Sequence, residues 1–255
     1  LDRTATTTIV IDSSADFADS VINRVEAPTV DLSGVTTDIE NGQEVTVTVT
    51  STGGGGSVID TATITADNWT LPDLDISTLP DGTLTFTARV SDVAGNPVNT
   101  DGTTTNIDST LILDATAPEP PADLDLTDDS DLGSSNSDNV TRIDTPEITG
   151  AAEPASHIVL LSSVNNEIGT TSADVTDGTW SIDTSTLDEG THVLTATATD
   201  VAGNTSDPST LTVHIDTIVP VIDPVISLDL ADRVFTASEL TIPLTKNLSP
   251  RFNIF

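Results

Sequence analysis

The sequence predicts an all-β protein made of tandem sandwich domains, and three observations lead to this prediction. First, the pentapeptide Asp-Val-Ala-Gly-Asn occupies residues 92–96 and returns unchanged at 200–204, 108 residues later, which is the length of one small domain. Second, apolar and polar residues alternate over short segments such as 44–50 and 84–90, as they do in strands with one buried face. Third, Val, Ile, Leu and Ala carry the 36 % hydrophobic content beside abundant Thr, while aromatic residues make up only 3 %. This mixture favours strands over helices.

The repeat divides the chain into two complete units and the start of a third. Residues 107–108 match 215–216 at the same 108-residue spacing. A further match places residues 16–26 on 229–239, at an offset of 213. The predicted domains are therefore a first repeat over residues 1–110, a second repeat over 111–218, and a truncated third repeat or irregular tail over 219–255.

Short strands separated by turns can be traced through both units. Turn signals include Asn-Gly at residues 41–42 and Asp-Gly at 177–178. In the second unit we predict seven strands, near residues 122–126, 145–150, 157–162, 169–174, 178–183, 191–199 and 210–216. Seven short antiparallel strands in about 100 residues are typical of an immunoglobulin-like sandwich. Trp69 and Trp180, one in each unit, are predicted to be large core residues.

Charge limits the partners that this chain can have. The sequence holds 41 acidic and seven basic residues, for a formal net charge of −34, so we expect neither nucleic acid nor an anionic membrane surface as a partner. It has no Cys, and no apolar run of the roughly 18 residues needed to insert into a bilayer. A disordered acidic tail is the competing interpretation of such a charge, but disordered tails lack the regular apolar alternation seen here.

Several motifs occur together in a fixed order. They are Asp-x-Ala-Gly-Asn at 92–96 and 200–204, Asp-x-Thr-Ala-Pro at 114–118, and a Ser- and Asp-rich segment at 130–141 ahead of Thr-Pro-Glu-Ile-Thr-Gly at 145–150. With these motifs the chain resembles, over about residues 1–240, the bacterial Ig-like repeats of large RTX-type surface adhesins that are exported by type I secretion. The resemblance implies an extracellular, cell-surface protein of adhesion and biofilms. Its sandwiches would form an extended rod, with neighbouring repeats of the same chain as partners and Ca²⁺ at the junctions.

The loops contain many oxygen donors of the kind that calcium prefers. If the seven strands alternate in direction, the loop between the sixth and seventh lies where the chain enters a domain, and the loop between the first and second lies at the exit. Asp200 and Asn204 should therefore face the junction that contains Asp114. Unneutralised carboxylates at such a junction repel by about 1 kcal/mol per pair at about 4 Å in water, and a divalent ion removes this cost.

The predicted calcium ligands fall into three groups, according to the end (pole) of the domain at which each is expected. They are Asp2, Asp92 and Asn96 at the entry of the first unit; Asp12, Asp16, Asp19, Glu26, Asp108, Asp114, Asp200 and Asn204 at the junction; and Asp129, Asp131, Asp138, Asn139, Asp216, Asp229, Asp232 and Glu239 at the far pole of the second unit. Asp and Asn are also ordinary turn formers that bond their own backbone. A purely structural role for any single member therefore stays open.

The sequence shows no arrangement of catalytic groups. The three His residues lie in predicted strands, and the glycine run at 53–56 is not followed by the Lys-Ser/Thr of a phosphate-binding loop. We expect the chain not to be an enzyme. The preferred function is that of a monomeric adhesin fragment, an extender that spaces a distal ligand-binding domain from the cell. The alternatives are an Ig-like module that itself binds glycan, ice or a host protein, and an appendage of a secreted hydrolase.

Overall fold

All regular secondary structure in the described part of the chain is β-strand. The computed structural model describes residues 6–7, 10–11, 19–95, 97–100, 111–163 and 166–221. Over these residues no helix is long and apolar enough to cross a membrane. The prediction of an all-β, sandwich-type protein is therefore confirmed.

The described residues of the first sandwich form ten strands in two sheets. The strands are β1 (Thr6–Thr7), β2 (Val10–Ile11), β3 (Val21–Ile22), β4 (Val30–Thr37), β5 (Glu44–Ser51), β6 (Ser57–Thr63), β7 (Asn68–Leu74), β8 (Gly82–Ser91), β9 (Pro97–Thr100) and β10 (Ile112–Leu113). In one sheet β1, β2 and β7 all pair with β4, and the other has the order β3-β10-β8-β5-β6 with β9 beside β8. The alternation of β5 explains its place, because Val45, Val47 and Val49 are all fully buried between the sheets.

In the second sandwich, the residues that the structure describes form eight strands in two sheets. The strands are β11 (Ala122–Leu126), β12 (Val140–Thr141), β13 (Glu147–Ala151), β14 (His157–Leu161), β15 (Glu167–Ser172), β16 (Thr179–Asp183), β17 (Gly190–Thr199) and β18 (Ser209–Ile215). The sheet orders are β11-β13-β16 and β12-β18-β17-β14-β15. All seven predicted strands are present, each end within two residues of its predicted position. The eighth, β12, is a two-residue strand that pairs in parallel with β18.

Each sandwich has its own hydrophobic core, with one tryptophan in each. Trp69 is 1 % exposed in the first core, and Trp180 is 4 % exposed in the second. The predicted core role of both residues is confirmed. Gly150 of β13 is explained by the same packing, because a Cβ atom there would stand 2.4 Å from a ring carbon of Trp180.

The last strand of the first sandwich corrects the alignment of the two units. Leu113 pairs with Gly82 in the first sandwich as Ile215 pairs with Gly190 in the second. The match of residues 107–108 to 215–216 is therefore wrong, because the first unit has six more residues between its pentapeptide and this final pairing. Leu111 and Leu113 are both buried in the first core, so this core includes residues at the start of the predicted second repeat.

The linker follows Leu113, and both sandwiches belong to one compact unit, Leu1–Ile218. Residues 222–255, which include most of the predicted third repeat, lie outside the described residues.

Candidate functional site

The second copy of the pentapeptide forms a tight turn at the end of β17. The backbone N–H of Asp200 donates to the carbonyl of Asn204 at 3.0 Å, and the N–H of Asn204 donates back to Oδ1 of Asp200 at 2.8 Å. Gly203 takes a φ of 93°, a left-handed conformation that glycine adopts without steric cost. Asp, Gly and Asn at these positions therefore fix the shape of the loop.

Asn204 connects the two sandwiches through its side-chain amide. Its Oδ1 accepts from the backbone N–H of Arg24 at 2.9 Å, and its Nδ2 donates to the backbone carbonyl of Asp114 at 2.8 Å. Nδ2 also donates to Oδ2 of Asp200 at 2.9 Å, and the residue is only 4 % exposed. The structure thus places Asp200 and Asn204 at the Asp114 junction, as strand alternation predicted. The connecting role of the amide was not predicted.

The turn of the first sandwich that receives Asn204 is held by its own side chains. Oδ1 of Asn23 accepts from the N–H of Val25 at 2.8 Å and from that of Glu26 at 3.2 Å. Glu26 in turn accepts from the N–H of Asn23 at 2.9 Å. These bonds fix the turn that presents the N–H of Arg24 to the second sandwich, and they show Glu26 in a structural contact.

Three carboxylates interact around the linker. Burial, followed by the negative charges of Asp200 and Asp81, raises the pKa of Asp114, and a hydrogen bond from the Thr116 N–H opposes this shift. Asp81 itself accepts from the N–H of Ala115 at 2.8 Å and from the hydroxyl of Thr116. The folded chain therefore concentrates negative charge at the junction.

Asp81 is a functional candidate that the sequence interpretation missed. It precedes Gly82 as Glu189 precedes Gly190, 108 residues later, and an acidic residue before glycine is also typical of an ordinary turn. Glu189 accepts from the N–H and the hydroxyl of Thr217, at 3.0 and 2.7 Å. These bonds, the hydroxyl one first, lower the pKa of Glu189. In both units an acidic residue thus holds the segment that leaves the sandwich.

A second group of oxygen atoms lies in the loop between β11 and β12. Oγ1 of Thr127, Oδ1 of Asp131 and Oδ1 of Asn139 are buried and have no hydrogen-bond partner among the described residues. Asp131 is only 2 % exposed. Its Oδ2 accepts from the N–H of Asn139 at 3.3 Å, and its own N–H donates to the carbonyl of Thr127 at 2.8 Å. The loop therefore brings together two predicted ligands and Thr127, which was not predicted.

The other predicted ligands are more scattered. Asp19, Asp129, Asp138 and Asp216 are exposed, and Asp92 is buried in the first copy of the pentapeptide. The remaining predicted ligands lie outside the described residues: Asp2, Asp12, Asp16, Asn96, Asp108, Asp229, Asp232 and Glu239.

Carboxylates and imidazoles alone do not form a metal site in the described ranges. No three His, Cys, Asp or Glu residues there are grouped so that they could hold a metal ion. A cation bound there would also need amide, hydroxyl, carbonyl or water oxygens. Calcium accepts all of these ligands.

One family model matches the second sandwich. Residues 116–217 match the family model described as a bacterial Ig-like domain. No curated protein matches the chain.

Three solved structures illustrate the similarity of the chain to known folds. A tetra-tandem repeat from the extending region of a large adhesion protein is 26 % identical, with a TM-score of 0.35 over 84 % of this chain and 50 % of that one. A biofilm-associated protein gives 22 % identity and a TM-score of 0.30 over 77 % and 29 %. A bacterial ice-binding adhesin, studied for its retention on the host cell surface, gives 23 % and 0.45 over 83 % and 63 %. The chain thus spans less than two thirds of each of these structures.

Proposed function

We propose that this chain is an extender segment of a bacterial cell-surface adhesin, in which calcium stiffens the junction between Ig-like sandwiches. Such a segment would hold a distal ligand-binding domain away from the cell, and in this role the chain is not an enzyme. The observation that supports the proposal best is the amide of Asn204, which bonds to the first sandwich at Arg24 and to the linker at Asp114. This contact therefore joins the two sandwiches at the junction where the carboxylates of Asp81, Asp114 and Asp200 interact.

The electrostatics of the junction favour a divalent cation. The pKa of Asp114 is raised by burial and by the charges of Asp200 and Asp81, so the ionised carboxylates repel one another in the folded state. Like charges about 4 Å apart repel by about 1 kcal/mol even in water. Ca²⁺ bound near Asp114 by carboxylate oxygen together with neighbouring carbonyl, amide or water oxygens would reduce this repulsion.

A comparison of free-energy contributions indicates what bound calcium would add to the hydrogen bonds of the junction. The two hydrogen bonds that Asn204 makes to the first sandwich and to the linker contribute about 1 kcal/mol each. A ligand that binds only the folded state adds about 4 kcal/mol at a thousandfold excess over its dissociation constant. The hydrogen bonds would therefore set the geometry of the junction, and calcium would supply most of its stiffness outside the cell.

The proposal can be tested by melting the chain with Ca²⁺ and with a chelator. Asp114→Asn removes a junction carboxylate but leaves the backbone carbonyl that Asn204 binds. The exposed Asp207, in the same sandwich as Asn204, provides the matched control Asp207→Asn. We expect calcium to raise the melting temperature of the unaltered chain and of the control, and to raise that of Asp114→Asn by clearly less. A melting temperature that does not change on chelation of the unaltered chain would contradict the proposal.

A further inference from the structure

We propose that the larger sheet of each sandwich is a docking surface for a second copy of this chain, through which neighbouring chains associate side by side. The surface, called here the neutral face, consists of the outward-pointing residues of β5, β6 and β8 in the first sandwich and of β14, β15, β17 and β18 in the second. The contact is lateral and requires no ion at the junction, so it can hold or fail independently of calcium stiffening.

In the first sandwich the neutral face is a grid of small, mostly β-branched side chains. The residues of β5 that alternate with its buried valines point away from the core, and the residues opposite them on β6 and β8 lie on the same side of the sheet. Three rows result, which read across the strands Thr61-Thr46-Arg89, Ile59-Thr48-Thr87 and Ser57-Thr50-Thr85. Ile59, in the middle row, is 60 % exposed.

The second sandwich repeats this arrangement on its larger sheet. Its rows read Thr210-Thr195-Leu161, Thr197-Val159-Thr170 and Thr199-His157-Ser172. Val193, which pairs with Thr212, is 42 % exposed. Both sandwiches therefore present threonines with a few larger apolar side chains on the same sheet.

Acidic residues are distributed unequally between the two sheets. On the neutral faces of the described strands the acids are Glu44 and Glu167, because Asp60 of β6 pairs with the buried Val47 and so lies on the other side of the sheet. The smaller sheets, in their described strands β4, β7, β11, β13 and β16, contain six acidic residues and no basic one: Asp31, Asp73, Asp123, Asp125, Glu147 and Asp183. The excess charge is thus kept away from the neutral faces.

This distribution of charge selects a second copy as the partner. Two chains that each have a net charge of −34 repel when their acidic surfaces approach, and the repulsion is weakest when the neutral faces meet. A basic partner would be attracted to the acidic surfaces instead. The first neutral face also holds one base, Arg89, close to Glu44, since Arg89 pairs with Thr46. In a two-fold contact each residue meets its counterpart's partner, so Arg89 of one copy can face Glu44 of the other.

The size of the face predicts a weak contact that gains strength by repetition. β5 is eight residues long, so a face three strands wide measures about 14 Å by about 26 Å. Two such faces bury on the order of 700 Å², below the roughly 1,200 Å² of a stable interface. Isolated chains should therefore remain monomers at low concentration. Chains held side by side on a surface should associate, because several sandwiches make the same contact at once.

Paired charge insertions on the two kinds of sheet test the proposal in the full chain. Thr85→Asp with Thr212→Asp adds two carboxylates to the neutral faces, and the matched control, Thr70→Asp with Ser181→Asp, adds two carboxylates at exposed positions of the smaller sheets. Beads densely coated with each protein are compared by light scattering in saturating calcium and about 0.15 M salt, where distant charges are screened. We expect the unaltered and control beads to cluster, and the neutral-face variant to lose clustering.

Two outcomes of the bead assay would overturn the proposal. One is the absence of clustering by the unaltered beads. The other is equal clustering by the two double variants, because contacts through calcium bridges or acidic surfaces would not distinguish the sheets. Melting curves of both variants show whether each is folded.

A second measurement uses the unaltered chain and so does not depend on the folding of any variant. As the protein is concentrated, the amide resonances of Thr48 and Thr85 should shift, whereas those of Thr70 and Ser181 should stay in place. Resonances that do not move, or that move equally on both sheets, would overturn the proposal.

Discussion

Replacing Asn204 by aspartate changes the contact between the sandwiches in a defined way. The variant keeps an oxygen that can accept from the N–H of Arg24, which lies 2.9 Å from the present Oδ1. It loses the nitrogen that donates to the carbonyl of Asp114 at 2.8 Å and to the carboxylate of Asp200 at 2.9 Å. Two attractive contacts thus become contacts between oxygens, one of which is between two negative charges.

The size of the effect follows from these contacts. A neutral hydrogen bond contributes about 1 kcal/mol net, and one to a charged group about 1.5–3 kcal/mol. The new repulsion with Asp200, at the 2.9 Å now bridged by the amide, adds on the order of 1 kcal/mol in a water-like dielectric. The sum predicts a loss of about 3 to 5 kcal/mol from the second sandwich and its junction together.

The assay combines urea unfolding with a measurement of domain orientation. Both are made in chelator, so that calcium does not replace the lost contacts. Ser206→Ala is the matched control, because Ser206 is also buried and its side chain bonds to Ala198 and Asp207, which both belong to its own sandwich. Residual dipolar couplings should show that the sandwiches of Asn204→Asp reorient relative to each other, whereas those of Ser206→Ala keep their orientation even though stability falls.

Two results would refute this account of Asn204. One is an unfolding free energy within about 0.5 kcal/mol of that of the unaltered chain, the range of an ordinary surface substitution. The other is a domain orientation that changes as much in Ser206→Ala as in Asn204→Asp. Either would show that the amide does not fix the junction.

Three further predictions concern single residues. Gly150→Ala should destabilise the second sandwich by about 1–3 kcal/mol, the range for overpacking, because the new Cβ meets Trp180 at 2.4 Å; unchanged urea unfolding would contradict this. Folding raises the pKa of Asp114 above its ordinary 3.8. The protonated carboxyl group therefore contributes to the stability of the folded chain at low pH, and this contribution is lost as pH rises through the raised pKa. In chelator, Asp114→Asn should therefore melt above the unaltered chain at pH 7, and the difference should vanish at pH 3; a difference that persists there would contradict the assignment. Folding lowers the pKa of Glu189 below 4.5 through Thr217, so the Thr217 amide resonance should shift with a midpoint below 4.5 as pH falls, and a higher midpoint would contradict the contact.

The strands could be predicted because their burial leaves a local pattern. Val45, Val47 and Val49 occupy every second position of β5, and all three are fully buried. The β12 strand could not be predicted in this way, since Val140 and Thr141 are too few for a period to appear. Its pairing with β18 depends on chain positions more than 70 residues apart.

The candidate site was predictable in position but not in contacts. Strand direction alone placed Asp200 and Asn204 at the correct pole. The hydrogen bonds of Asn204 depend on backbone groups of the other sandwich and of the linker, and no pattern of side-chain types reports where a distant N–H or carbonyl will point. The position of Asp81 had a signal, the acid repeated before Gly82 and Gly190, but turn formation already explained that signal.

Small-angle scattering of the unaltered chain, with saturating calcium and then with chelator, tests the central claim most directly. The claim is that calcium stiffens the junction between the sandwiches. It predicts a single narrow distribution of distances in calcium that broadens, with a shorter mean dimension, after chelation. Superimposable profiles in the two buffers would contradict it, and the acidic residues at the junction would then be turn formers only.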